Sequence, residues 1–419
     1  MKILVLGAGV IGVTTAHALS RLGHEVLVID QADGVASQAS HANGAQLAYS
    51  YVDPFANFAT LKKIPKYMLG FDEGIRLRFT NKFSYYAWGL EFIRHCTSKK
   101  AAANMQVMLE LAHTSKQAMS KIYSEIPAVA IRVHGAGKIV LAGTPQELEK
   151  LNASVALKKS YGFDVEILDK DSCILQEPGL GSWQGEFCGG IYAPGDKVLD
   201  PLVFCQTIQA HSESKYGVGY YFGHTILKLK QKNNKITQVQ TDKDIFNCDA
   251  AIVCLGEGAN NIIKTIDKAY PVYPMRGYSL TLDTGKEVTK TSITDPISKI
   301  VFSNLGGKIR IAGFLDANIP ETKIDERGRA LLATAQKLWP SIANYDGEAN
   351  FWTGLRPMTP SGIPIVKKSK INGLYYNIGH GSLGLTLAAG SAQRIAQLIE
   401  GVRKNTGSVI PEDKHEFAQ

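Results

Sequence analysis

The first thirty residues carry a constellation that few folds accommodate. Ile3, Leu4, Val5 and Leu6 make a short apolar run with the character of a buried parallel strand. Gly7, Gly9 and Gly12 follow at G-x-G-x-x-G spacing, a helical stretch covers 13–22, and Gly23 stands where a helix stop is needed. A second strand over 25–29 ends in Asp30. Gly7 suits the tight turn, Gly9 the close approach of a pyrophosphate, and Gly12 the packing of helix on strand. Val10 and Ile11 bring the first N–H groups of the helix, whose dipole favours a phosphate. Asp30, with Gln31 beside it, is placed for ribose hydroxyls. The glycines alone would fit a turn in another α/β fold. Strand, helix, second strand and terminal acid in register point to a dinucleotide site.

At 419 residues the chain exceeds one ordinary core, so two domains are expected. Its 45% hydrophobic and 20% charged content is that of a globular enzyme, not of a disordered chain. The net charge of +8, from 46 basic and 38 acidic residues, suits an acidic ligand or an anionic surface. No basic stripe with interleaved aromatics suggests nucleic acid. The six cysteines are scattered without a CxxC or Cys/His cluster, so no metal site is expected and the thiols read as buried and reduced. That fits a reducing, cytoplasmic compartment. The N-terminal apolar stretch resembles a signal peptide, but cleavage would remove the glycine fingerprint. No apolar run reaches the ~20 residues that span a bilayer; attachment at the inner face of a membrane stays open.

After Asp30 comes a small, polar loop containing Ser40, His41, Asn43, Gly44, Ala45 and Gln46, which can lie flat against a planar ligand such as an isoalloxazine. Residues 56–125 read as helical, 129–143 as a hairpin around Gly135 and Gly137, and 201–212 as a helix started by Asp200 and Pro201. The apolar run at 249–255 ends at Gly256, as a further central strand beside the cofactor would. Strands are expected over 272–283, 300–304 and 308–313, and helices over 326–339 and 385–400. The nucleotide-binding pieces are thus split. A discontinuous Rossmann-like domain is expected over 1–55, 195–268 and 352–410. A mainly antiparallel α+β substrate domain is expected over 56–194 and 269–351, with a tail at 411–419.

Three further strings join the fingerprint and the 40–46 loop: Tyr273-Pro274-Met275-Arg276-Gly277-Tyr278-Ser279, then Trp352 through Pro360, then Gly379-His380-Gly381-Ser382-Leu383-Gly384. Together they make the chain, over nearly its whole length, resemble the D-amino acid oxidase superfamily of FAD-dependent amine oxidoreductases, and within it the bacterial D-amino acid dehydrogenases. Asp30 departs from the superfamily's usual Glu, and residues 195–201 are closer to the wider superfamily than to the dehydrogenases. The resemblance implies bound FAD and oxidative deamination of D-amino acids to 2-oxo acids and ammonia, with hydride transfer to flavin and electrons passed to a quinone or carrier. Arg356 is the expected anchor of the substrate carboxylate, since a guanidinium pairs bidentately with a carboxylate. Tyr278 and Arg276 are expected to orient the substrate. The helix entered through Gly381, Ser382, Leu383 and Gly384 suits negative charge on the reduced ring. No protein base is required, because a neutral amine can drive hydride departure.

Each assignment has a plainer reading. Arg356 could be a structural arginine, His380 and His41 backbone-packing histidines, and Tyr49, Tyr51 and Tyr278 core aromatics. The basic, aromatic stretch 76–100 fits a helix packed on its own core, or a membrane-surface patch. The competing functions are an oxygen-using glycine or sarcosine oxidase of the same fold, an NAD(P)-dependent dehydrogenase, and a non-catalytic flavoprotein subunit.

Overall fold

The computed structural model describes residues 1–401, so the expected tail at 411–419 lies outside the described residues. The first strand, Lys2–Leu6, sits at the centre of a six-stranded sheet. Ala250–Val253 and Glu25–Ile29 flank it in parallel, Leu374–Ile378 and Gly219–Tyr221 extend it, and Ile365–Lys368 closes one edge antiparallel. Its side chains alternate between two cores. Ile3 and Val5 pack with the helices Val10–Ser20, Pro201–Tyr216 and Gly384–Glu400. Leu4 and Leu6 pack against a small antiparallel sheet built from Ile226–Lys232, Lys235–Thr241 and Ile245–Asn247. The Pro201–Tyr216 helix starts as its sequence dictates: the Asp200 carboxylate accepts the Leu202 N–H at 2.9 Å, with Pro201 in the first turn.

The second sheet is mixed but mostly antiparallel. From its edge it runs Asn350–Met358, Tyr273–Asp283, Lys308–Ala317, Ile300–Asn304, Ser292–Asp295, Lys138–Ala142, Gly189–Ala193 and Glu166–Asp169. The helix Ile324–Leu338 covers one face, where Leu280, Leu282, Leu331 and Trp339 form a core. The other face looks toward the 40–46 loop.

Three segments differ from expectation. The stretch 129–143 is not a hairpin. Lys138–Ala142 is buried throughout and pairs with Ser292–Asp295 and Gly189–Ala193, because an apolar strand covered on both faces gains more from central partners than from a local turn. Within 56–125, the helices Phe58–Met68, Phe83–His95 and Ser98–Glu125 are interrupted by a short strand, Ile75–Leu77. The long Ser98–Glu125 helix docks on the Gly384–Glu400 helix: Ser115 Oγ donates to the Thr386 carbonyl at 2.6 Å and accepts the Gly390 N–H at 3.1 Å. The core over the nucleotide sheet therefore recruits a helix from the middle of the chain.

Candidate active site

The phosphate cradle forms where the first strand meets the first helix. Gly7 has φ +106°, and a Cβ there would lie 2.6 Å from the Cys254 carbonyl oxygen. A Cβ on Gly12 would overlap the carbonyl of Gly7. The Val10 N–H donates to Ser40 Oγ at 3.0 Å, tying the helix start, with Gly9 and Ile11, to the 40–46 loop. The Asp30 carboxylate accepts the Ala8 N–H at 2.6 Å and the Ala32 N–H at 2.8 Å. Its remaining lone pairs can accept hydroxyls. Gln31 is exposed beside it. Gly256 (φ +56°) follows the adjacent central strand.

The 40–46 loop crosses the antiparallel sheet and is held by its side chains. Ser279 Oγ donates to the Ala42 carbonyl (2.5 Å), Arg310 to the Asn43 carbonyl (2.9 Å) and Ser303 Oγ to the Gly44 carbonyl (2.9 Å). The Asn43 side chain accepts the Ala45 N–H at 2.9 Å, which supports the left-handed backbone of Ala45. Beyond them, Lys138 Nζ donates to Gln46 Oε1 at 2.5 Å and to Thr294 Oγ1 at 2.6 Å. Burial pushes the Lys138 amine down to about 7, with Asp196 opposing the shift and Lys158 adding to it. Burial likewise raises the Asp196 carboxyl to about 6, against Lys138 and the donors of Ser50 and Tyr49. On its far side the loop meets the last helix, where Thr386 Oγ1 donates to the Gln46 carbonyl and accepts the Ala48 N–H, both at 3.1 Å.

The turn into that helix is built from Gly379 (φ +79°) and Gly381 (φ +55°), with Ser382, Leu383 and Gly384 completing it. Burial alone pushes His380 down to about 3, so its imidazole is neutral at physiological pH. Of the buried polar atoms without a protein partner among the described residues, two lie here, His380 Nε2 and Gln46 Nε2. Buried polar groups are normally paired. These two orphans, on the loop and the helix turn that face each other, with the glycine turn of Gly7 and Gly12, fit a flavin dinucleotide whose ring carries many hydrogen-bonding atoms.

Arg356 lies on the loop-facing side of the antiparallel sheet. Alternation along Tyr273–Asp283 puts Met275, Gly277 and Ser279 on that face, and pairing with Asn350–Met358 adds Trp352, Gly354 and Arg356. The guanidinium lies flat on Gly277, where any Cβ would overlap it, and the Trp352 indole covers Gly354 in the same way. Arg356 donates to the Phe314 carbonyl at 3.0 Å and reaches the Gly313 carbonyl at 3.5 Å. Among the described residues it forms no ion pair. Burial lowers its basicity while Asp316 and Tyr278 oppose, and it stays charged at neutral pH. The His41 ring lies 6.4 Å from that of Trp352, closing the space from the loop side.

Tyr278 and Arg276 are carried by the same alternation to the opposite face. Tyr278 is fully buried, donates to Asp316 Oδ2 at 2.7 Å and stacks on Phe351 within the core under the Ile324–Leu338 helix. Arg276 reaches Thr353 Oγ1 at 3.4 Å. Neither shares a face with Arg356, so the orienting role expected of them is corrected to a structural one. A residue spacing of two, not one, keeps side chains together on a strand. The sequence reading passed over Trp352, Gly277, Gly354 and Lys138 as site residues. The signal for the first three was present: two glycines in register, each two positions from a large side chain.

Among the described residues no group of His, Cys, Asp or Glu could hold a metal, and no helix is long and apolar enough to cross a membrane. Residues 2–398 match the DAO family of FAD dependent oxidoreductases. The chain is 33% identical over 408 residues to a D-amino acid dehydrogenase of Granulibacter bethesdensis, covering 97% of both chains. It is 34% identical over 403 residues to a D-amino acid dehydrogenase of Sinorhizobium medicae, covering 95% of this chain and 96% of the relative. Its fold superposes on the glycine oxidase of Bacillus cereus with a TM-score of 0.69 at 22% identity, over 96% of this chain and 95% of the other. The sheet assembled from distant segments, the glycine turn with the orphaned polar atoms and these likenesses agree: the chain belongs to the DAO family of FAD-dependent oxidoreductases.

Proposed function

We propose that this protein is a D-amino acid dehydrogenase in which Arg356 anchors the substrate carboxylate. The observation that carries the reading is the state of Arg356: a half-buried guanidinium, facing the 40–46 loop, with backbone carbonyls but no carboxylate as partners. A cation drawn largely out of water without a counter-ion is costly, and an amino acid's carboxylate supplies the missing charge bidentately. Gly277 and Gly354 leave a flat floor on which the guanidinium and the Trp352 indole lie. Trp352 and His41 bound the space and limit water. The neutral His380 imidazole offers a donor or acceptor without adding charge.

Bound FAD supplies the two-electron oxidation. The amino acid loses an electron pair and two protons to become an imino acid, which water hydrolyses to a 2-oxo acid and ammonia. The pair then reduces a quinone to a quinol, or an equivalent carrier, from a cytoplasmic enzyme in peripheral contact with the membrane's inner face. Protein groups bind and orient; the substrate's own neutral amine needs no further base. The test is anaerobic titration of the yellow protein with a panel of D-amino acids, L-amino acids and glycine. Bleaching confined to D-amino acids, with reoxidation faster by a soluble quinone than by air-saturated buffer, is the expected result. Bleaching by glycine with stoichiometric peroxide overturns it in favour of an oxidase.

A further inference from the structure

The expectation for residues 76–100 divides in the structure. On the Phe83–His95 helix, Trp88 and Phe92 point inward; Trp88 Nε1 donates to the Met358 carbonyl at 2.8 Å, two residues beyond Arg356. The outward stripe of the same helix, Phe83, Tyr86, Leu90 and Ile93, is also apolar and is exposed. Spacings of three and four residues align these side chains on one face. Phe71, Phe79 and Phe83 are 73%, 71% and 82% exposed, and with Phe58 they are all the exposed phenylalanines among the described residues. Leu69 and Phe79 line one surface depression together with Arg76 and Arg78. Arg76 Nε is buried there with no hydrogen-bond partner.

The charge around these side chains is one-sided. Residues 58–100 hold nine basic and three acidic residues, six of the chain's net +8. Lys62, Lys63 and Lys66 are exposed on the Phe58–Met68 helix, and Lys62 Nζ sits 4.6 Å over the Phe58 ring. The two helices and the segment between them pack around one small core, and exposed apolar side chains gathered there mark an interaction site. A second copy docked on this face would bring two strongly positive patches together. Apolar side chains ringed by lysine and arginine match an anionic bilayer, with rings at the acyl boundary and cations among phosphates.

We infer that the surface formed by Phe58, Leu69, Phe71, Phe79, Phe83 and Leu90 seats the protein on an anionic phospholipid surface. This sharpens the peripheral contact proposed above and holds whatever the substrate or electron acceptor is. The test is co-sedimentation of the FAD-loaded protein with vesicles of phosphatidylglycerol and phosphatidylcholine, beside vesicles of phosphatidylcholine alone. Binding is expected only to the anionic vesicles and weakens with salt. Phe83→Glu with Leu90→Glu abolishes it while the flavin spectrum and bleaching by D-amino acid are kept. Each of Lys62→Gln, Lys63→Gln and Lys66→Gln weakens it about fivefold. Leu175→Glu, at an 85% exposed leucine outside the patch, binds like the parent. If the double glutamate variant loses its flavin, Phe83→Ser with Leu90→Ser replaces it. No binding by the parent, or parent-like binding by the patch variants, overturns the inference. Concentration-dependent self-association that the patch variants abolish, without vesicle binding, assigns the face to a contact between copies instead. Substrate bleaching is measured separately, so a wrong substrate class leaves this result untouched.

Discussion

The two faces of the Tyr273–Asp283 strand carry arginines in opposite states. On the helix-covered face, Arg327 is buried and saturated: it pairs with both oxygens of Asp316, at 2.7 and 3.0 Å, and donates to the Glu73 carbonyl at 2.6 Å. Tyr278 adds a third donor to Asp316. On the loop-covered face, Arg356 is half-buried with carbonyl partners only. One arginine closes its charge within the fold, and the other leaves it open. The open one faces the 40–46 loop. The contrast teaches that the completeness of its partners marks an arginine as closed within the fold or open to a ligand.

The largest expected effect tests the closed side. Arg327→Ala strands the Asp316 carboxylate and should cost about 3–5 kcal/mol of stability, read as a lower denaturant midpoint. At temperatures where the variant stays folded, kcat/KM should stay close to the parent value. A folded variant with parental stability would break the comparison.

Arg356→Ala should do the reverse. Stability and the flavin spectrum persist, while kcat/KM for a D-amino acid falls by about 2–5 kcal/mol, mostly through KM. Arg356→Lys should recover only part, because the planar fork is lost. Unchanged kinetics in either variant would move the anchor elsewhere.

Gly277→Ala sharpens the geometry. Its methyl occupies the space of the guanidinium. The expected loss is about 1–3 kcal/mol in kcat/KM from a displaced arginine, with flavin content unchanged. A parental KM would show that Arg356 does not need its flat seat.

The smallest effect is that of Tyr278→Phe. It removes one of several bonds to Asp316 and should cost about 1 kcal/mol of stability, with kinetic constants unmoved. A fall in kcat/KM beyond the stability loss would return Tyr278 to the site.

Much of this molecule was legible before any coordinates. Gly7, Gly12 and Asp30 meet at the strand-to-helix turn that their spacing implied, because that motif is local and its geometry is dictated by backbone sterics. The expected apolar strand at 249–255 did join the first strand, since a run buried on both faces has few other places to go. The misplacement of Tyr278 and the hairpin expected at 129–143 share one cause. Which face of a strand looks at the ligand, and which strand it pairs with, depend on partners far away in sequence. Lys138 was invisible for the same reason: its partners Gln46 and Thr294 lie 92 and 156 residues away.

By itself, then, the sequence determined that a glycine turn backed by an acid-ended second strand forms at the N-terminus, that a further central strand joins it from far along the chain, and that Arg356 and the glycine-rich helix turn are candidate chemistry. These follow from short-range spacing, glycine sterics and charge. The tertiary structure alone decided that Arg356 stays unpaired while Arg327 does not, that Trp352 rather than Tyr278 shares its face, and that half of an aromatic helix turns outward. The physical reason is that burial and pairing belong to contacts between segments, and strand register sets those contacts.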